Sequence, residues 1–226
     1  MKKGIYSLLA AALVAVTAAT ATMAQAPASK PAVKAKPAAK KAKGVRTMSY
    51  YKDKVVDVKT GKGTITIRFF PDTAPNHVKN FIDLAEKGFY NGTKFHRVIP
   101  GFMIQGGDPN TVSGSPNTWG MGGAPKNVNA EFNNIHHARG IVSMARSNDP
   151  DSASSQFFIC VADAPSLDKL YSVFGQVTKG MEVADEIVNA PCGVNDRPNQ
   201  PVAIISITVR AATAEEKALP APAKVQ

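Results

Sequence analysis

The sequence predicts a mainly β fold, a closed antiparallel β-barrel capped by α-helices. Short apolar segments whose side chains alternate with a period of two recur through residues 48–211. Only two segments have a helical period, and they lie far apart in the chain. Because 44 % of the 226 residues are hydrophobic, the chain can bury one sizeable core. Periodicity alone leaves a β-sandwich as the alternative.

The first half of the domain supplies three predicted strands and one helix. Residues 64–70 alternate as a strand with one buried face does. A helix follows, with Pro75 in its first turn and Gly88 at its end. Its apolar face consists of Val78, Phe81, Ile82 and Ala85. Segments 94–99 and 102–105 then form two strands joined by a Pro-Gly bend.

The second half opens with a long glycine-rich stretch, residues 106–127, that shows no periodicity. A loop of this length in a compact domain is usually functional or packed by its own side chains. Three short apolar strands follow, at 141–145, 156–161 and 171–177. Residues 181–189 form the second amphipathic helix, and 202–209 form the last strand.

The N-terminal residues have the pattern of an export signal. Lys2 and Lys3 precede an apolar stretch at 5–16, and small residues end the pattern at Ala24. We therefore expect a signal peptide at 1–24 and no stable membrane insertion after its cleavage. An uncleaved membrane anchor is the alternative, but the apolar stretch is shorter than the roughly 20 residues that span a bilayer.

The segments flanking the domain are expected to lie outside its core. Residues 25–47 consist mainly of Ala, Lys, Pro and Val, which predicts a solvated linker at 25–47. It would act as a spacer, or as a weak tether to anionic surfaces. Residues 212–226 are rich in Ala, Pro and Glu and are expected to form a flexible tail. The domain itself is expected to span 48–211.

The net charge of +10 suggests nucleic-acid binding, but its distribution argues against that function. Residues 1–46 contain nine of the 27 basic residues and no acidic ones. The other 18 basic residues are balanced by the 17 acidic residues, so the domain is nearly neutral. A nucleic-acid-binding domain is expected to carry positive charge on the fold itself.

The types of residue present and the spacing of the motifs predict no cofactor and no metal site. The chain lacks a Gly-x-Ser-x-Gly elbow, a phosphate-binding glycine loop and a metal-binding histidine pair on a helix. Its two cysteines, Cys160 and Cys192, are too few for a zinc cluster, and a disulfide between them stays open. A hydrolase is not excluded by this inventory alone.

One arginine is surrounded by apolar and amide side chains. Arg97 and Gln105 lie on the two strands of the Pro-Gly bend, with Phe102 and Met103 between them. Segment 154–160 adds another glutamine and two phenylalanines. Such a site suits peptide binding or a reaction without covalent chemistry. Taken one at a time, the arginine would more often be a surface or ion-paired residue and the apolar residues would most often be core, while the glutamines could be satisfied polar groups.

Together these segments resemble the cyclophilin family of peptidyl-prolyl isomerases. The resemblance extends over about residues 50–210 and is carried by 95–108, 139–145, 154–160, 173–177 and the start of the helix at 180–183. It implies an eight-stranded antiparallel barrel with a helix over each end. It also implies prolyl cis/trans isomerase activity.

The resemblance assigns roles residue by residue. The family's catalytic arginine corresponds to Arg97, and its supporting glutamine to Gln105. The proline pocket corresponds to Phe102, Met103, Phe158 and Leu167. Gln156 matches a second glutamine of the substrate groove, and Ala145 matches the position whose backbone lies along the bound peptide.

Three positions depart from the best-known eukaryotic members. Arg146 stands in place of an Asn, and Tyr171 in place of a His that lines the pocket. Ser166 stands in place of a Trp that grips cyclosporin, so cyclosporin binding is expected to be weak. We still count Arg146 and Tyr171 as substrate-binding. The departures resemble those of bacterial periplasmic cyclophilins.

The resemblance implies an isomerase that accelerates rotation about X-Pro bonds in exported polypeptides and so assists their folding. Its partners would be proline-containing polypeptides, its location the periplasm, and its default state a monomer. A membrane-tethered or a secreted form is the alternative location. The alternative function is a non-catalytic chaperone or adaptor that binds proline peptides without turnover.

Overall fold

The computed structural model describes residues 46–225. The predicted signal peptide and the predicted linker up to residue 45 lie outside the described residues. Eight strands form one antiparallel sheet in the order β3-β4-β6-β5-β7-β2-β1-β8. The strands are β1 (Lys54–Thr60), β2 (Gly63–Phe69), β3 (Arg97–Ile99), β4 (Met103–Gly106), β5 (Ile141–Met144), β6 (Phe157–Cys160), β7 (Val173–Lys179) and β8 (Ile204–Ala211).

Within residues 46–225, five α-helices accompany the sheet. They are α1 (Met48–Lys52), α2 (Pro75–Glu86), α3 (Asn110–Ser113), α4 (Met181–Val188) and α5 (Ala214–Ala218). The two longest, α2 and α4, are the helices that the sequence predicts. Helix α2 contacts β7 and β8, whereas α4 contacts β2, β3 and β4. No described helix is long and apolar enough to cross a membrane.

The sheet is a curled half-barrel rather than the closed barrel that the sequence predicts. Between the outer strands β3 and β8 there is no ladder, only a bridge between Lys94 and Ala203 just outside them. Backbone hydrogen bonds join the same two segments, from Phe95 N to Val202 O and from Ile204 N to Thr93 O. The free edge of β3 instead faces the chain after α4, where Cys192 Sγ lies 3.9 Å from Val98 O.

The two faces of the sheet pack against different apolar clusters. The main core contains Val98, Ile104, Val142, Phe157 and Ile159, which alternate with side chains on the opposite face. On that opposite face, Met103, Phe158 and Cys160 form a second, smaller apolar cluster. Strand β6 is therefore buried on both faces, which explains its continuous apolar sequence.

One strand was missed by sequence analysis. Strand β1 carries apolar Val56 and Val58 on one face, but charged residues stand at Lys54, Asp57 and Lys59. It pairs with both β2 and β8. Val56 and Val58 alternate with Asp57 and Lys59 in the sequence, but the buried Val55 next to Val56 interrupts the period.

The C-terminal segment, predicted to be a flexible tail, makes hydrogen bonds along its length. Helix α5 has a capping box between Thr213 and Glu216. Farther on, Arg68 donates to the backbone carbonyls of Leu219 and Pro220. The end of the tail then pairs with the 134–136 segment, with Val225 N donating to Asn134 O. Its mobility stays a prediction.

Candidate active site

Strand alternation places the predicted catalytic pair on the outer face of the sheet. Arg97 and Gln105 are directly opposite each other in the ladder between β3 and β4. Because Val98 and Ile104 next to them point into the main core, Arg97 and Gln105 point away from it. The Pro-Gly bend predicted from the sequence thus aligns the two side chains.

Two glutamine side chains, Gln105 and Gln156, form a series of hydrogen bonds that reaches Arg97. Arg97 Nη1 lies 3.5 Å from Gln105 Oε1, the limit for a hydrogen bond. Gln105 Nε2 donates to Gln156 Oε1 at 2.9 Å. Gln156 Nε2 donates in turn to the carbonyls of Gly120 and Gly122, at 2.9 and 2.7 Å. The long glycine-rich loop therefore anchors the series that ends at Arg97.

The predicted proline pocket is assembled by one apolar cluster. Met103 and Phe158 are buried, and Phe102, Leu167 and Tyr171 pack against them partly buried. The rings of Phe158 and Tyr171 meet edge to face, with centroids 5.7 Å apart. The four predicted pocket residues thus form a concave apolar surface beside Arg97.

The remaining predicted residues border this surface. The guanidinium of Arg146 lies 4.7 Å from the centroid of the Tyr171 ring, and Arg146 Nε donates to the carbonyl of Leu170. Ala145 packs against the pocket cluster, and its N–H donates to Gln156 O. The structure therefore brings all ten predicted site residues together, although their roles stay predictions.

The site residues line a cleft of about 990 Å³. This volume is at the upper end for ligand sites and exceeds what a single proline ring fills. A second depression of about 350 Å³ continues from it along Gln105, Gln156 and the 120–124 loop. The cleft can therefore hold an extended peptide segment on both sides of a proline.

Two loops close one end of the cleft. They are 116–121 from the glycine-rich stretch and 194–197 after α4. Arg197 joins them, because Nη1 donates to Pro116 O at 2.8 Å and the guanidinium lies 5.9 Å from the Trp119 ring. Neither loop is among the site residues predicted from the sequence.

The structure adds one contact to Arg97 that the sequence analysis missed. Asp196 Oδ2 lies 3.3 Å from Arg97 Nε, and both side chains are about half exposed. The two residues are 99 positions apart. No local signal marks Asp196, since a single carboxylate in a Pro- and Asn-rich loop fits a solvent-exposed turn equally well.

Two histidines, His136 and His137, share a hydrogen-bonding carboxylate next to the pocket. The carboxylate of Asp168 accepts the backbone N–H of His137 at 2.8 Å and contacts Nδ1 of both His136 and His137. The His137 ring stacks on Phe158, and Asp168 directly follows Leu167. One carboxylate therefore links two walls of the pocket.

Burial and hydrogen bonds set the charges of this cluster. Burial lowers the pKa of His137, although hydrogen bonding to Asp168 opposes the shift. Burial by itself would raise the pKa of Asp168, but its hydrogen bonds to His137 and His136 hold that pKa below the ordinary value. Asp168 is therefore ionised at neutral pH.

The family comparison agrees with this geometry. The family model described as cyclophilin type peptidyl-prolyl cis-trans isomerase/CLD matches residues 55–209. The chain belongs to this family. The match spans β1 to β8 and includes all ten predicted site residues. The chain is thus a cyclophilin-type peptidyl-prolyl cis-trans isomerase.

Bacterial relatives resemble the isomerase over most of its domain. A peptidyl-prolyl cis-trans isomerase of Acinetobacter baylyi is 44 % identical over 165 residues, covering 69 % of this chain and 85 % of the relative. Peptidyl-prolyl cis-trans isomerase A of Dickeya dadantii is 48 % identical over 133 residues, covering 57 % of this chain and 67 % of the relative.

A solved structure resembles the described fold. It is the crystal structure of a cyclophilin type peptidyl-prolyl cis-trans isomerase of Cryptosporidium parvum, determined in the presence of the dipeptide Ala-Pro. It matches with a TM-score of 0.63 at 31 % identity, covering 70 % of this chain and 99 % of that chain.

Proposed function

We propose that this isomerase accelerates rotation about X-Pro bonds in exported polypeptides and assists their folding in the periplasm. We further propose that Arg97 stabilises the twisted amide while the apolar pocket holds the proline ring. The observation that carries this proposal is the position of the Arg97 guanidinium beside the pocket of Phe102, Met103, Phe158 and Leu167.

The chemistry of the X-Pro bond explains why a cation is useful there. Rotation must break amide resonance, at a barrier of about 18–20 kcal/mol. In the twisted state the prolyl nitrogen becomes pyramidal and regains its lone pair. A guanidinium donating to that lone pair stabilises the twisted state more than either planar isomer, which lowers the barrier. Arg97 suits this role because it is permanently charged and offers several N–H donors.

The pocket supplies the second requirement of the reaction. It holds the proline ring on one side of the rotating bond, so that the preceding residue can swing through the open cleft. The apolar walls keep water away from the bound proline ring, so the guanidinium meets the prolyl lone pair at the edge of a partly desolvated pocket. The reaction needs neither a nucleophile nor a general base.

The location rests on the N-terminal sequence. Two lysines, an apolar stretch at 5–16 and small residues up to Ala24 form the pattern of a signal peptide. We propose cleavage near residue 24, release of a monomer into the periplasm, and a role of segment 25–47 as a spacer. Detection of the mature protein in a periplasmic extract, with its N-terminus sequenced, tests this part.

The Arg97→Ala variant tests the mechanism. Exchange NMR on an X-Pro tetrapeptide gives turnover directly, and we expect at least a tenfold loss for Arg97→Ala, equal to about 1.4 kcal/mol. Arg139→Ala serves as the control, because Arg139 is a half-exposed, ion-paired arginine that pairs with Asp185 on α4. Unchanged turnover in Arg97→Ala would refute the assigned mechanism.

Peptide binding measured on the same variants separates the two candidate functions. If the wild-type protein binds the X-Pro peptide but does not accelerate its isomerisation, the chain is the non-catalytic binder considered above. Turnover in the wild type rejects that alternative.

A further inference from the structure

We propose that Asp196 is a positioning residue that holds the Arg97 side chain in its productive orientation. This inference rests on the proposed role of Arg97. The contact between Arg97 and Gln105 is weak. Arg97 Nη1 lies at the 3.5 Å limit from Gln105 Oε1, and the Arg97 side chain is 42 % exposed. A long arginine side chain held only by that contact would sample several rotamers.

Asp196 restrains the guanidinium from the other side. Its Oδ2 lies 3.3 Å from Nε, whereas Gln105 approaches Nη1. Two contacts at different nitrogens fix both the position and the plane of the guanidinium. The N–H groups that neither contact uses remain available to a prolyl nitrogen.

The backbone around Asp196 is shaped for this contact. Asn195 and Asp196 are consecutive non-glycine residues with positive φ, +62° and +56°. Each such residue is uncommon and costs free energy, and such residues concentrate at functional sites. Asn and Asp are the side chains that tolerate this conformation best. The turn directs the Asp196 carboxylate across the cleft.

The loop that carries this turn is anchored at several points. Gly193 N donates to Arg197 O, and Asn199 N donates to Pro191 O, which closes the base of the loop. Arg197 ties the loop to the carbonyl of Pro116 across the end of the cleft. A carboxylate on a loop anchored in this way can restrain Arg97, whereas one on a free loop would simply follow it.

The test uses two variants that keep the left-handed backbone. Asp196→Asn removes the charge but retains an oxygen that can accept from Nε, and Asp196→Gly removes the whole side chain at a φ that glycine adopts freely. We expect kcat on an X-Pro tetrapeptide to fall about tenfold in Asp196→Gly and less in Asp196→Asn, with KM nearly unchanged. The Arg97 Nε–Hε NMR signal should broaden in the same order.

A matched control comes from a second arginine–carboxylate pair. Arg139 and Asp185 are 44 % and 42 % exposed, close to the 42 % and 48 % of Arg97 and Asp196. Arg139 and Asp185 form two short hydrogen bonds, whereas Arg97 and Asp196 form one of 3.3 Å, so Asp185→Asn removes an equally exposed but stronger ion pair outside the cleft. We expect kcat to stay within twofold of wild type. A fall in kcat equal to that of Asp196→Asn would show a general effect of losing an ion pair and would overturn the proposal.

Combining Asp196→Gly with Arg97→Ala separates the positioning role of Asp196 from the proposed mechanism of Arg97. If Asp196 acts through Arg97, Asp196→Gly has no further effect on turnover there. If Arg97→Ala is inactive but Asp196→Gly alone retains wild-type kcat, the positioning role is wrong and the arginine mechanism stands. If Arg97→Ala is fully active, the arginine mechanism itself fails. Circular dichroism verifies that each variant is folded.

Discussion

Gln105 donates its side-chain amide to Oε1 of Gln156 at 2.9 Å, and this bond links the partner of Arg97 to the glycine-rich loop. The link matters because Gln156 is itself held by two backbone carbonyls, those of Gly120 and Gly122. The orientation of Gln105 therefore depends on the position of the glycine-rich loop. Loop and arginine are coupled through two glutamines.

Gln156→Met should lower isomerase activity although the Arg97 guanidinium is still present. Met has a similar length but offers neither the acceptor to Gln105 nor the donor to the loop. We expect kcat/KM to fall about threefold to tenfold, the equivalent of one hydrogen bond. Gln176→Met is the control, since Gln176 lies on β7 and accepts from Arg68. Equal losses in the two variants would contradict the coupling.

Phe158→Leu should weaken substrate binding in particular. Phe158 forms the pocket, whereas Phe174 lies in the main core, and both are buried. We expect both Phe158→Leu and Phe174→Leu to lower the free energy of unfolding by about 1–2 kcal/mol. Only Phe158→Leu should raise KM several-fold for an X-Pro peptide. Thermal melts and exchange NMR supply the two measurements, and a raised KM in Phe174→Leu as well would count against the pocket assignment.

Ser166→Trp should strengthen cyclosporin binding. Ser166 is exposed in the turn Pro165–Leu167, so an indole can extend over the pocket from there without displacing core atoms. We expect weak binding in the wild type and at least tenfold tighter binding in the variant, equal to about 1.4 kcal/mol, measured by calorimetry. Ser49→Trp on α1 controls for an added exposed indole. No gain in Ser166→Trp relative to Ser49→Trp would refute the expectation.

Stability should decrease in acid because of the C-terminal helix. Arg210 pairs with Glu216 and lowers the pKa of that carboxyl from 4.5 to about 2. A carboxyl with a lowered folded-state pKa stabilises the fold above pH 4.5 and loses that contribution as the pH falls towards 2. Glu216→Gln should therefore be less stable at pH 7 but lose less stability between pH 4.5 and 2.

Urea unfolding at several pH values measures this difference. Glu215→Gln is the matched control, because Glu215 lies in the same turn of α5 but does not contact Arg210. An unchanged acid dependence in Glu216→Gln would show that the pair does not contribute to the stability of the described fold.

The sequence by itself determined the strands and helices that build the site, and also most of the residues in it. Alternation in 102–105 and 156–161 separates core from pocket side chains because neighbouring residues of a strand point to opposite faces. The resemblance of these segments to the cyclophilins then led to the proposed role of Arg97, which alternation could not indicate. Strand alternation and motif resemblance are local features, so each can be recognised within a single segment of the sequence.

Only the tertiary structure decided which distant groups meet. The contact between Arg97 and Asp196 depends on the left-handed turn at Asn195 and on the anchoring of its loop by Arg197. The open sheet is likewise a tertiary feature, because the segments next to β3 and β8 meet in a bridge and a few hydrogen bonds rather than in a ladder. Loop conformation has no periodicity, and a pair 99 residues apart leaves no pattern in either segment. The physical reason is that such contacts arise from packing, which the order of residues within a segment does not express.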